Sequence, residues 1–349
     1  MKKNLLVIGT GVITGVVALA LAALGNPANM GFCLACFLRD CAGACGMHGA
    51  AAVQYFRPEI AGIALGALLA ALCFRDFRPR GGSSPFTRLV IGFCVMVGAL
   101  MFLGCPLRMV IRLGGGDCNA LLGLAGFIGG VLAGVLALNR GFSLRRAYPQ
   151  PMLEGLAFPV ALGGLFVLSV LVPALFLFSE SGPGAMRAPV IASLAGGLIV
   201  GGLAQRSRFC MAGGVRDAML FRDLHLLWGS VALLMTLIVG NLILGTFTLS
   251  FAGQPVAHTD GLWNFLGMAL VGWGSVLLGG CPLRQLVLAG EGDSDSAMAV
   301  LGMTLGAAFC HNFGLAASAK GPTLNGQIGV LVGFAALLVV CLCNCARKD

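Results

Sequence analysis

Two copies of Gly-Cys-Pro-Leu-Arg, at 104–108 and 280–284, each put a thiol, a helix-starting proline and a guanidinium within five residues. Proline is favoured at the first position of a helix, where its missing N–H costs nothing. This predicts short helices that begin at Pro106 and Pro282, with Cys105 and Cys281 at their N-caps. A helix N-terminus carries partial positive charge and unpaired N–H groups, which attract anions and favour the thiolate of a nearby cysteine. Arg108 and Arg284 add full positive charge one turn in, so the unit reads as a thiol beside an anion cradle. An aspartate follows each arginine nine positions on, Asp117 and Asp293, and is expected to cap a helix or pair with the motif arginine.

A second pattern also occurs twice: Phe32-Cys33 with Arg39-Asp40, and Phe209-Cys210 with Arg216-Asp217. Cys33 precedes Cys105 by 72 positions and Cys210 precedes Cys281 by 71, so the chain is a duplication with an offset of 176 to 177. The candidate substrate path is therefore Cys33, Cys105, Cys210 and Cys281, with Arg108, Arg284, Arg39 and Arg216. A purely oxygen-bearing anion would need the arginines and N–H groups but not the thiols. Doubled cysteines point to a small anion that carries a soft sulfur or selenium atom.

The remaining reactive residues are read against packing. Cys33, Cys36, Cys41, Cys45 and His48 crowd one segment, and Cys33-x-x-Cys36 could be a redox pair or half a metal site. The second half has Gly213, Ala218 and Arg222 in place of Cys36, Cys41 and Cys45, which disfavours a metal; no metal and no cofactor are expected. Cys341, Cys343 and Cys345 alternate by two, which spreads them around a helix, and Cys73, Cys94, Cys118 and Cys310 read as small apolar fillers. His311 and Asn312 lie within an apolar run, where a path role competes with a helix–helix hydrogen bond. Cys36 and His311 are secondary candidates. The rival chemistries are a membrane thiol-disulfide oxidoreductase built on Cys33 and Cys36, and a passive anion channel that uses the arginines alone. The lysines at 2, 3, 320 and 348 lie in no Gly-Lys-Ser/Thr loop, so this chain carries no P-loop.

The elements that must position these residues are membrane helices. The 349-residue chain is 58% hydrophobic and 10% charged, against roughly 25% charged in a soluble domain. Ten apolar runs approach spanning length: 4–25, 57–73, 86–104, 119–138, 155–178, 187–203, 226–250, 262–280, 297–317 and 324–342. Two more, 28–50 and 207–222, carry charges and read as re-entrant. The first run offers a cleavage-like Ala18-Leu19-Ala20, but a retained helix is expected because 187–203 occupies the matching place in the repeat. With the N-terminus inside, 16 of the 22 Lys and Arg residues fall on the inner side and 6 on the outer. That bias predicts cytoplasmic termini in an inner membrane, and it explains the net charge of +9 without nucleic acid. Four spans per half with one helix between them make the repeats inverted. Residues 1–138 form repeat 1, 139–180 a linker with one helix, 181–317 repeat 2, and 318–349 a final helix and tail. The expected fold is an all-α integral membrane protein with substrate bound at the repeat interface.

These motifs resemble the YeeE/YedE family of membrane proteins, whose halves each carry a Cys…Arg-Asp segment and a Gly-Cys motif before Gly-rich acidic residues, here Gly290-Glu291-Gly292 in the second half. The resemblance covers nearly the whole chain. It implies an hourglass-like bundle that imports thiosulfate, passing the ion between cysteines through weak S–H hydrogen bonds. By it Cys33, Cys105 and Cys281 are relay positions and Cys210 their symmetry mate. It further implies a transporter rather than an enzyme, with a small TusA-like sulfur carrier as partner. Thiosulfate-type members have glycine three residues after the motif cysteine, where this chain has Arg108 and Arg284. That form, with Asn-Pro-Ala-Asn-Met-Gly at 26–31, looks like the YedE branch associated with selenium metabolism.

Overall fold

A computed structural model describes residues 2–345. Arg347 and Lys348 of the charge count lie outside the described residues, as do the side chains of Lys2 and Lys3. The first half is built from α1 (Lys2–Ala23), α2 (Leu34–Ala44), α3 (Pro58–Cys73), α4 (Pro85–Phe102), α5 (Pro106–Gly114) and α6 (Asn119–Asn139). A linker helix α7 (Met152–Leu171) follows. The second half repeats the series: α8 (Val190–Ser207), α9 (Met211–Phe221), α10 (His225–Ile243), α11 (Gly261–Leu278), α12 (Pro282–Gly290) and α13 (Ser294–Asn312), with α14 (Leu324–Asn344) last. Arg80–Gly81 and Tyr148–Pro149 form one small antiparallel ladder.

Among the described residues, nine helical stretches are long and apolar enough to cross a membrane. The tenth expected span, 297–317, is the helix α13, but it does not reach that apolarity. It opens on Ser294-Asp295-Ser296 and closes on His311-Asn312. Three of the nine stretches are broken helices: α4 into α5 at Leu103–Cys105, α8 into α9 at Arg208–Cys210, and α11 into α12 at Gly279–Cys281. The charged runs 28–50 and 207–222 hold the short helices α2 and α9.

Packing pairs the halves crosswise. α6 lies along α11 and α13 along α4, while α1 lies along α10 and α8 along α3. Exchanging the two halves turns each pair into its counterpart. Small residues make these approaches possible, as expected where helices associate in lipid without a hydrophobic drive. Gly126 and Gly130 of α6 sit against the carbonyls of Phe265 and Ala269 in α11, too close for any Cβ. Gly92 and Gly302 do the same between α4 and α13, against Ala299 and Leu89. The linker α7 is clad in exposed Val160, Leu165, Val167 and Leu171, an apolar surface suited to acyl chains.

The loops meet in two groups, one at each end of the helices. At the end that carries both termini, Arg80 pairs with Asp293, Arg206 with Asp76, and the Ser143 N–H donates to the Asn344 carbonyl. At the far end, the Gln54 N–H donates to Ser179, the Thr248 N–H to the Gly115 carbonyl, and Asn312 to the Met47 carbonyl.

Candidate functional site

Four short helices, α2, α5, α9 and α12, bring their starting cysteines into two buried pairs. Each begins with a cysteine at the N-cap: Cys33, Cys105, Cys210 and Cys281. α5 and α12 begin at Pro106 and Pro282, as the motif dictates. Cys105 and Cys281 are extended, at φ −84° and −67°, and neither sulfur caps its own helix. Cys33 and Cys210 do cap theirs: Cys33 Sγ accepts from the Cys36 N–H at 3.4 Å, and Cys210 Sγ from the Gly213 N–H at 3.2 Å.

The pairs join sequence-distant cysteines within each half. Cys33 Sγ lies 4.0 Å from Cys105 Sγ, and the Cys281 N–H donates to Cys210 Sγ at 3.3 Å. All four side chains are buried, none more than 4% exposed. α2 also packs on α12 and α5 on α9, so the four helices form one central cluster across the repeat. Each sulfur therefore sits at a helix N-terminus, where partial positive charge favours negative charge beside it. No disulfide links any of them.

The arginines of the two halves differ in setting. Arg108 is fully buried and its donors are taken: Nε donates to the Asn29 carbonyl at 2.9 Å, Nη2 to the Val256 carbonyl at 3.0 Å, and Nη1 to the Leu103 carbonyl and to Cys36 Sγ. Asn29, Leu103 and Val256 all have left-handed backbones, with φ of 59°, 62° and 50°. For a β-branched valine that conformation is an outlier. Arg284 instead donates to Glu291 Oε1 at 3.1 Å and borders a polar cavity of about 230 Å³. Asp76, Arg78, Arg80, Gln205, Arg208 and Glu291 complete its lining. Burial pushes the Glu291 carboxyl above its usual range, opposed by the Arg284 charge.

The other predicted residues fall around this cluster. Arg39 and Arg216 each bond the aspartate next in sequence, Asp40 and Asp217, at 2.7 and 2.8 Å. Asp40 is shared with Arg57 at 2.8 Å, in a buried network that reaches Asn26 and the Pro183 and Met186 carbonyls. Such a network survives burial because nearly every donor is satisfied. Asp117 pairs with Arg112, not Arg108, at 2.7 Å, because the short helix turns Arg108 toward Asn29 and Val256. Asp293 caps α13 through the Ser296 N–H and binds Arg80. His311 stacks on His48 with ring centroids 4.7 Å apart, and its buried Nε2 has no partner among the described residues. Cys41 accepts from the Arg57 N–H at 3.3 Å, while Cys45 is exposed. Cys341 is buried and Cys343 exposed, as alternation around a helix requires.

Sequence reasoning missed Arg57 as a buried hub and missed Gln205, Arg208 and Arg78 as lining of the terminal-end cavity. The only available signal was Arg208 directly before Phe209-Cys210.

Comparison with known proteins bears on this arrangement. Residues 206–347, which hold Cys210, Cys281, Arg284 and Glu291, match the family model described as sulphur transport. Over 111 residues the chain is 32% identical to the thiosulfate transporter TsuA of Escherichia coli (strain K12). That alignment covers 31% of this chain and 30% of the relative, so the chain spans less than a third of the relative's length in the match.

Proposed function

We propose, from the match of residues 206–347 to the sulphur-transport family model and the partial similarity to a thiosulfate transporter, that this chain carries a small sulfur- or selenium-containing anion across the membrane by a relay of thiols. The observation that carries the reading is the pair of buried cysteine couples, Cys33–Cys105 and Cys210–Cys281, one in each half and each at converging helix N-termini. An anion that has shed its water meets aligned N–H groups and weak S–H donors, not a fixed counter-charge that would hold it too tightly. The soft terminal sulfur of thiosulfate, or the lone-pair-bearing selenium of selenite, suits a sulfur partner better than sulfate does. The ion moves without covalent change, so the reading is transport and not enzymology.

The finer assignments belong to the same proposal. The halves 1–138 and 181–317 are inverted repeats around the linker 139–180, an arrangement supported by the crosswise helix pairing. The arginine-rich end with the termini faces the cytoplasm of an inner-membrane protein, in keeping with the positive-inside bias. Cys33 and Cys105 then serve the outer half of the path, and Cys210 and Cys281 the inner half. Arg39 and Arg216, held by their aspartates, orient the starts of α2 and α9. Cys36 and His311 flank the outer half. The Pro-Leu-Arg form of both motifs favours a selenium species over thiosulfate. A TusA-like sulfur carrier is the acceptor the family resemblance implies at the cytoplasmic mouth.

The deciding experiment is uptake of labelled thiosulfate and labelled selenite into cells without their own importers. Wild type is compared with Cys105→Ala/Cys281→Ala, with membrane insertion checked by immunoblot. The expected result is uptake of one anion that falls at least tenfold in the double variant. Uptake that survives loss of both thiols sinks the relay and leaves a channel. No uptake of either anion by inserted wild type sinks the transport reading.

A further inference from the structure

The polar cavity beside Arg284 is lined by four arginines, Arg284 among them, and two carboxylates. Four of its six ionic groups are paired: Asp76 with Arg206 at 2.6 Å, Glu291 and Arg284 with each other at 3.1 Å, and Arg80 with Asp293 at 2.7 Å. Arg78 and Arg208, both reached by solvent, line the same space and make no side-chain hydrogen bond or ion pair with any described residue, so their donors are available to a ligand. Gln205 lines it too. That side chain is 6% exposed, its Oε1 is sealed without a partner, and its amide donates to no described residue. An amide N–H left without an acceptor at a nearly buried residue is unfavourable, so a ligand oxygen in the cavity would relieve it. Two guanidinium groups without a protein partner, an amide N–H without an acceptor and about 230 Å³ of room suit one compact anion.

We propose that Arg78, Arg208 and Gln205 form a binding site for a dianionic oxyanion of the selenite, sulfite or sulfate class, one helical turn beyond Cys281. The planar forks of the two arginines suit oxyanion oxygens held in pairs, and Gln205 Nε2 donates to a third. The site depends on the transport reading for its purpose but not for its existence, since it binds its ligand whether or not the thiols conduct. It supplies an inner resting place that the far end lacks, because Arg108 there is already saturated by carbonyls.

The test is equilibrium binding of selenite, sulfite and sulfate to purified full-length protein in detergent. It uses wild type, Arg78→Gln/Arg208→Gln and Gln205→Leu, each shown to be monodisperse. We expect binding of at least one of the three, resistance to competition by equimolar chloride, and at least a tenfold loss in both variants. Unchanged affinity in the arginine variant, or equal displacement by chloride, overturns the site. Displacement by a glutamate-rich peptide with no small-anion binding also overturns it, in favour of a protein-docking face. If uptake is thiol-dependent while the arginine variant binds normally, this proposal alone fails. If the arginine variant loses binding while the cysteine variant still transports, the relay alone fails.

Discussion

At the scale of single residues, two histidines resolve their own protonation by geometry. His48 Nδ1 accepts from the Ala50 N–H at 3.3 Å, so its hydrogen is on Nε2, which donates to the Arg39 carbonyl at 3.0 Å. His258 repeats the arrangement with the Asp260 N–H at 3.3 Å and the Met101 carbonyl at 2.8 Å. Both rings are neutral, and burial pushes both below the ordinary histidine range. Arg39 works with burial at His48 and Arg112 at His258, while Asp40, Asp117 and Asp260 oppose it. A depressed base contributes stability that is complete above its unfolded value, about 6.5, and is lost as pH falls below it. The melting temperature in detergent should therefore drop between pH 7 and 5, and His48→Gln/His258→Gln should flatten that slope. An unchanged slope in the double variant would refute the assignment. None of this could be read from the chain, because the partners of His48 and His258 are carbonyls. Arg108 was misleading for the same reason. Its type and spacing announced an anion cradle, yet its donors are spent on three carbonyls that only left-handed turns could aim.

At the scale of helices, far more was legible. Pro106 and Pro282 specify where α5 and α12 begin, since a proline needs no N–H partner in the first turn and its ring holds the residue before it in an extended conformation. The 176-residue offset then places each element of one half against its counterpart: α4 begins at 85 and α11 at 261, α5 at 106 and α12 at 282. Glycine content announced close helix packing, though not which glycines. Gly130 faces the Ala269 carbonyl with no room for a methyl group, whereas Gly9 on α1 has nothing within 4 Å of its notional Cβ. Gly130→Ala should lower thermal stability by about 1–3 kcal/mol through overpacking. Gly9→Ala should hold or raise it by up to about 1 kcal/mol through helix propensity. Equal melting temperatures for the two variants would contradict the packing described. The shortfall of α13 as a spanning segment shows the limit of reading by hydropathy. That helix starts with a polar cap that packs at the terminal end, where Asp295 accepts from the Gly82 and Ser83 N–H groups.

For the whole molecule, the two halves carry the same elements in unequal settings. Each has one thiol pair and one motif arginine, with different surroundings. Arg108 is sealed among carbonyls while Arg284 borders an open cavity with four arginines in its lining. Nothing in the repeat pattern distinguishes the two, because the divergence resides in loops: 26–31 and 248–256 at the far end, 76–80 at the end with the termini.

The burial of all four sulfurs, none more than 4% exposed, has an electrical consequence. A molecule with no water-filled thread from face to face is an insulator at rest, so a cell can carry many copies without dissipating its ion gradients. Reconstituted in a planar bilayer under an applied voltage, wild-type protein should pass no steady current in chloride without substrate. A persistent ohmic leak would mean that the resting path is open.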